Sequence, residues 1–274
     1  MFLTERQTRI IEMAKEQGRV LVDDLASPVD VSPQTIRKDL NDLCGRRLLT
    51  RIHGGAVHPS GRENLEYEAR RRIAAVEKAA IGRAAARIIP DRASLFINIG
   101  TTTEAVSDAL LAHSGLMIIT NNINVANRMR VFPQIEVVIA GGVVRGSDGG
   151  VVGEAAVDFI RQFRVDYAVI GTSAIDADGT LLDFDFREVK VAQAILANAR
   201  HVILVADSTK LERSAPVLIG HINQVQTFIT DRCRSETIRG ICAESDVRII
   251  ETNDPSADSL DFHRGFHQPS FNKE

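Results

Sequence analysis

Five segments place glycine or short polar side chains just after an apolar run, an arrangement suited to holding an anion. The run 95–99 leads into Gly100, Thr101, Thr102 and Thr103, just ahead of a helical stretch. Glycine allows close backbone approach, and threonine hydroxyls beside the free amides of a helix start can hold a phosphate. Four further runs end in the same manner: 117–120 in Asn121-Asn122, 137–140 in Gly141-Gly142 with Arg145 shortly after, 167–171 in Gly171-Thr172-Ser173, and 202–206 in Asp207-Ser208-Thr209-Lys210. One glycine–threonine loop is an ordinary turn; five polar ends on one expected edge point to an anionic polyol ligand. Asp183, Asp185, Glu188 and Lys210 form a second set, able in principle to act as acid and base. No GxGxxG occupies the first strand–helix turn, so neither a dinucleotide nor any other cofactor is expected.

A different chemistry lies near the N-terminus, in VSPQTIRKDL. Ser32 and Pro33 form a helix start. Ile36, Leu40 and Leu43 recur at helical spacing and supply a buried face, which leaves Gln34, Arg37, Lys38 and Asn41 on the other side. Amide and basic side chains of that kind suit base edges and phosphates. An ordinary helix with a solvated charged face has the same pattern, so the neighbouring segments must decide. Residues 22–26 supply a short preceding helix. Downstream, LTRIHGGA alternates and ends in Gly-Gly, as a hairpin wing would, with Arg51 and His53 pointing the same way. From Pro33 to His53 there are five basic residues against two acidic, whereas residues 1–60 hold nine and eight. Binding therefore rests on placement, and on more than one head. Ser32, Gln34, Thr35, Arg37, Lys38, Asn41, Arg47, Arg51 and His53 are the expected DNA contacts.

These chemistries require two scaffolds. Thr4 and Gln7 make a capping box for a first helix whose apolar face is Ile10, Ile11 and Ala14, so 1–57 reads as a winged helix-turn-helix. Residues 58–90 read as a helical connector ending at Pro90; its Arg70-Arg71-Arg72 run can reach DNA or line a solvated face. From 91 to 252, the five apolar runs, together with 227–230 and 247–251, alternate with helical stretches at 104–111, 123–130, 154–162 and 186–197. That alternation predicts a mainly parallel, Rossmann-like α/β sheet, with ligands beyond the carboxyl ends of the strands. Residues 253–274 read as a poorly ordered tail, so His263 and His267 are not taken as metal ligands.

The 274 residues fit two domains, 44% hydrophobic content supports sizeable cores, and a net charge of −3 excludes a general polycation. Neither a signal peptide nor an apolar run long enough to span a membrane is evident, so a cytoplasmic location is expected. Cys44, Cys233 and Cys242 lack zinc or CxxC spacing and read as small core residues.

LTERQTRIIEM, VSPQTIRKDLNDL and LTRIHGGA together resemble the head of the DeoR family of bacterial transcription regulators. The chain departs from it at Ser27-Pro28-Val29, where proline should shorten the helix or reshape the turn. IGTTTEAVSDALL, ITNNINVAN, IAGGVV, DFIRQFRVDYAVIGTSAIDADGTLLDFD and ARHVILVADSTK extend the likeness to that family's sensor domain, particularly in members acting in glycerol phosphate metabolism. The resemblance implies a fold related to ribose-5-phosphate isomerase and a repressor released from operator DNA by a phosphorylated effector such as glycerol 3-phosphate. It also implies that Gly100, Thr101, Thr102 and Thr103 hold the phosphate, that Asn121, Asn122, Gly141 and Gly142 line the site, and that Glu188 and Lys210 match further family positions. Asn98 replaces a usual Asp and Ala192 a usual Lys, with Lys190 or Lys210 as candidate substitute cations. A repressor answering to a different sugar phosphate and an isomerase-like enzyme are the alternatives. A small head also implies a homo-oligomer, dimer or tetramer, on paired half-sites.

Overall fold

A computed structural model describes residues 3–17, 19–26, 31–46, 48–52, 54–57 and 67–253. The chain divides into two units, Met1–Leu65 and Glu66–Glu274. Arg47, His53, the Ser27-Pro28-Val29 departure and the tail beyond Asn253 lie outside the described residues.

The first unit holds α1 (Glu5–Gln17), β1 (Arg19–Leu21), α2 (Val22–Ala26), α3 (Pro33–Gly45), β2 (Thr50–Ile52) and β3 (Gly55–Val57). The capping box forms: the Gln7 amide donates to Thr4 Oγ1, and the Thr4 amide to Gln7 Oε1, both at 3.2 Å. Ile10, Ala14, Leu25, Ile36, Leu40 and Leu43 are fully buried together. The wing is three-stranded rather than a lone hairpin, in the order β1-β3-β2. Its tight turn uses both glycines. Gly54 sits at φ 75, in the left-handed region, and a Cβ on Gly55 would lie 2.1 Å from the Val20 carbonyl oxygen across the β1–β3 pair.

The second unit opens with α4 (Tyr67–Arg72) and α5 (Ala75–Ile88). It continues through β4 (Ser94–Ile97), α6 (Thr101–Ala109), β5 (Leu116–Thr120), α7 (Ile123–Met129), β6 (Ile135–Ile139), β7 (Val143–Val144), β8 (Val151–Val152) and α8 (Glu154–Ile160). After these come β9 (Val165–Ile170), β10 (Ala174–Ile175), β11 (Thr180–Asp183), α9 (Phe186–Ala197), β12 (Ala199–Val205), β13 (Val217–His221), β14 (Thr227–Thr230), α10 (Glu236–Glu244) and β15 (Arg248–Glu251). The seven expected strands form one sheet in the order β15-β14-β12-β9-β4-β5-β6, paired in parallel throughout.

Period-two alternation gives this sheet two buried faces. Leu95 and Ile97 of β4 pack with Ile81, Val106, Leu110 and Val125, while Phe96 packs on the opposite side with Val157, Ile160, Val189 and Ile195. Helices α5 and α6 pack so closely that a Cβ on Gly82 would meet the Ala105 carbonyl oxygen at 2.4 Å. Strand order reverses between β4 and β9, which opens a crevice at their carboxyl ends. The antiparallel sheet β10-β11-β13, the β7–β8 hairpin and α10 were not expected from the sequence. Cys233 and Cys242 are buried, and Cys44 is half-buried.

Candidate functional site

Helix α3 is built to present a face. Ser32 caps it, accepting from the Thr35 amide at 3.3 Å, and its hydroxyl lies 3.0 Å from Thr35 Oγ1. Both acids of the helix are already paired, Asp39 in the interior and Asp42 at the surface. Asp39, buried, accepts from Arg6 Nε at 2.6 Å, and Asp42 accepts from Gln7 Nε2 at 2.8 Å and pairs with Arg46. Gln34, Arg37, Lys38 and Asn41 are exposed, and among the described residues none has a hydrogen bond or ion pair. The helix therefore shows solvent amides and cations with its carboxylates tied away. The α1–α3 clasp through Arg6, Gln7 and Asp39 went unseen in the sequence, where Gln7 was read only as a capping residue. Arg51 lies on β2. Arg37→Ala should cost about 1–3 kcal/mol of specific DNA binding if the guanidinium reads a base. Fluorescence anisotropy on matched and scrambled duplexes measures this, and an equal loss on both would mark Arg37 as a phosphate contact instead.

At the crevice, Gly100 caps α6 at φ 147, so the first-turn amides of α6 are left without intrahelical acceptors. Among the described residues, the Thr101 and Thr102 hydroxyls have no hydrogen-bond partner. Thr103 differs. Its hydroxyl lies 2.8 Å from Asn98 O and 2.7 Å from Gly100 O, so it donates to the loop backbone. Asn98 Oδ1 accepts from the Ile99 amide at 2.7 Å, a task an aspartate oxygen would do equally.

Asn121 and Asn122 are fully buried at the end of β5. Asn121 Nδ2 donates to Val151 O, and its Oδ1 is without a hydrogen-bond partner. Asn122 caps α7 through Oδ1 and donates from Nδ2 to Glu104 Oε1 at 3.2 Å, which is structural work. Gly141 and Gly142 follow β6 at the same edge, exposed.

Arg145 is surrounded by acids. It donates to both Asp148 oxygens at 2.9 and 2.6 Å, to Asp185 Oδ2 at 3.1 Å and to Glu188 Oε2 at 2.5 Å. Burial opposes its charge, but the bonds to Asp148 and the charge of Glu188 outweigh it and hold its pKa above the ordinary arginine value. Burial also pushes the Glu188 carboxyl up to about 7, with Asp183 adding to the rise and Arg145 opposing it. The positive charge of Arg145 is therefore spent on three carboxylates.

A second group of cations gathers around Asp207. Burial pulls the Lys210 ammonium down to about 8; Asp207 opposes this, while Arg213, Lys78 and Arg70 reinforce it. Lys78, almost fully buried on α5, places Nζ 3.8 Å from Asp207 Oδ2. It was missed in the sequence, although its position three residues before Ile81 puts a charge on the apolar stripe of α5. Lys190 faces outward and pairs with Glu154, and Ala192 is a core residue. Of the two candidate substitutes for the missing lysine, only Lys210 stands with this cluster. Asp183, Asp185 and Glu188 are each bonded to the backbone or to arginine and none to Lys210. Among the described residues no acidic, histidine or cysteine cluster could hold a metal ion, and no helix is long and apolar enough to cross a membrane.

A helix with an exposed amide and basic face, followed by a parallel sheet with a Gly-Thr-Thr-Thr loop at its carboxyl edge, is an arrangement that a ligand-responsive regulator could use. Residues 6–62 match the model of the DeoR-like helix-turn-helix domain, and residues 73–232 that of the DeoR C terminal sensor domain. The chain belongs to the DeoR family. Its DeoR relatives include the glycerol-3-phosphate regulon repressor of Escherichia coli (strain K12), 48% identical over 83% of this chain and 90% of the relative. The protein of that name in Haemophilus influenzae is 47% identical over 82% and 88%. The HTH-type transcriptional repressor CsqR of Escherichia coli (strain K12) is 40% identical over 91% and 98%. These DeoR relatives are named as repressors, and the isomerase-like enzyme reading is set aside. Among solved structures, the ribose 5-phosphate isomerase from Plasmodium falciparum overlaps 49% of this chain and 52% of its own, at 13% identity and a TM-score of 0.37.

Proposed function

We propose that this DeoR-family protein is a cytoplasmic repressor of glycerol 3-phosphate metabolism genes, released from operator DNA when glycerol 3-phosphate binds at the 100–103 loop. The observation that carries the reading is the pair of unengaged hydroxyls, Thr101 and Thr102, at a helix start, beside a cation cluster and in one chain with an unengaged reading face. The names of the regulon repressors that match most of the chain supply the identity of the effector. Arg51 on β2, together with Arg47 and His53, adds backbone contacts to those of α3, and at least two copies bind paired half-sites. The test is an operator fragment selected by the protein from random duplex DNA, titrated with glycerol 3-phosphate, ribose 5-phosphate and inorganic phosphate. Release by glycerol 3-phosphate at the lowest concentration supports the reading; release by ribose 5-phosphate alone would move it to a different sugar phosphate.

A pH dependence follows from Lys210. Its ammonium is lost as pH rises through about 8, whereas a phosphate monoester, with a second pKa near about 6, is already a dianion there. Effector affinity should fall between pH 7.5 and pH 9, measured by calorimetry. A flat profile would place Lys210 away from the ligand.

A further inference from the structure

The anion loop meets the start of the sensor unit on α4. Tyr67 donates its hydroxyl to Glu104 Oε2 at 2.6 Å, and Glu104 directly follows the 100–103 loop in the first turn of α6. Asn124 Nδ2 joins the pair, 2.9 Å from the Tyr67 oxygen and 3.0 Å from Glu104 Oε1. One helical turn beyond Tyr67, Arg70 Nη2 donates to Asp148 Oδ2 at 3.3 Å. Lys78 Nζ then closes the end of α4, bonding the carbonyl oxygens of Arg70 at 2.5 Å and Ile73 at 2.8 Å.

The carboxylate bonds made by Tyr67 and Arg70 are unequal. Tyr67 makes a short bond to a carboxylate. Arg70 makes, among the described residues, a single long one, to a carboxylate that Arg145 already holds with two nitrogens. Its Nε is buried without a hydrogen-bond partner, a costly state for a charged donor. Arg70 also belongs, with Lys78 and Arg213, to the group of cations that lower the Lys210 ammonium, against which Asp207 acts. A guanidinium so poorly satisfied fits a phosphoryl group, which offers it two parallel acceptors.

We propose that Arg70 binds the effector's phosphoryl group directly and passes effector binding to the segment that leads to the DNA-binding unit. The phosphate takes the guanidinium from Asp148, and α4 leaves its seat against Glu104. The Tyr67–Glu104 bond favours the effector-free position and Arg70 the bound one. This rests on the reading that a phosphoryl group occupies the 100–103 loop. It also divides the Arg70-Arg71-Arg72 run: Arg70 is half-buried at the sheet edge, while Arg71 and Arg72 are exposed.

The test uses the full chain and the selected operator, with calorimetry of the phosphate ester in the presence and absence of DNA. The ratio of the two dissociation constants measures the coupling, typically about 5–150-fold in such systems. Arg70→Gln should weaken ester binding about tenfold or more and bring that ratio toward one. Arg70→Lys, which keeps the charge but loses the fork, should regain part of the affinity and little of the coupling. Tyr67→Phe should act in the opposite sense, releasing DNA at a lower ester concentration. Unchanged affinity and ratio in Arg70→Gln, or a higher release concentration in Tyr67→Phe, would overturn the proposal. Should Arg70→Gln fail to fold on thermal unfolding, Arg70→Lys and Tyr67→Phe decide by the same criteria. A wild-type chain released by ribose 5-phosphate but not glycerol 3-phosphate changes only the effector, and the variants are then read with that ester. A wild-type chain indifferent to all three phosphates removes the anion site and Arg70's role with it.

Discussion

Replacing Arg145 by leucine should destabilise the sensor unit by about 3–5 kcal/mol, the usual cost of removing one partner from a buried ion pair. Leucine fills part of the space but leaves Asp148, Asp185 and Glu188 facing one another without their shared donor. The loss should depend on pH. In the wild type, Glu188 has a folded pKa of about 7, above its ordinary value near 4.5, so the folded state binds the extra proton between those limits. Its contribution to stability is present below about pH 4.5 and lost as pH rises through 7. Without Arg145 the carboxyl should rise further, and the variant's stability should fall more steeply with pH than the wild type's. Lys210 contributes with the opposite slope at higher pH, because its folded pKa of about 8 lies below the ordinary lysine value of 10.5 and stability recovers across that interval. Urea unfolding of both proteins at pH 5, 7 and 8.5 checks this. A loss that is constant across pH would mean that packing, not charge, is what Arg145 supplies.

The parts of the molecule legible in the sequence are those with a repeating physical signal. The seven strands of the parallel sheet each carry an apolar stretch between turn or helix signals, and Phe186–Ala197 carries the helical period over its whole length, so both were visible. Strands of two or three residues have no period to detect, which is why β1, β7, β8 and β10 were missed. Helix α10 did have a signal: Ser235 caps it, and Ile238, Ile241 and Cys242 follow at helical spacing. Gly240 in its middle masked that pattern. For the site, residue types located the sheet edge but not what each side chain is paired with. Arg145 read as a cation available to an anion because its acids lie three, 40 and 43 positions away. Thr103 looked equivalent to Thr101 and Thr102, and only the backbone turn at Gly100 directs its hydroxyl inward. Arg70 and Lys78 acquire meaning solely from the ends of strands that follow them in the chain.

The double variant Thr101→Val, Thr102→Val should bind operator and yet no longer respond to glycerol 3-phosphate. Valine keeps the shape of threonine and removes the hydroxyl, so the loop retains its bulk while two donors disappear. Each hydrogen bond to a charged group contributes about 1.5–3 kcal/mol, so the effector concentration for release should rise roughly a hundredfold or more. The Thr101 and Thr102 hydroxyls have no partner among the described residues, so removing them breaks no internal bond. Thr103→Val makes the contrasting control, since its hydroxyl bonds Asn98 O and Gly100 O. That variant should lower thermal stability and distort the loop, so its effect on release should come with a shifted melting temperature. The double variant should melt as the wild type does in the absence of effector, and should show none of the rise in melting temperature expected when glycerol 3-phosphate is added to the wild type. Normal release by the double variant would leave the phosphate to the α6 amides and the cations alone, or place it elsewhere. A calorimetric titration then separates these outcomes, because binding at the amides keeps its dependence on Lys210 and pH, and binding elsewhere does not.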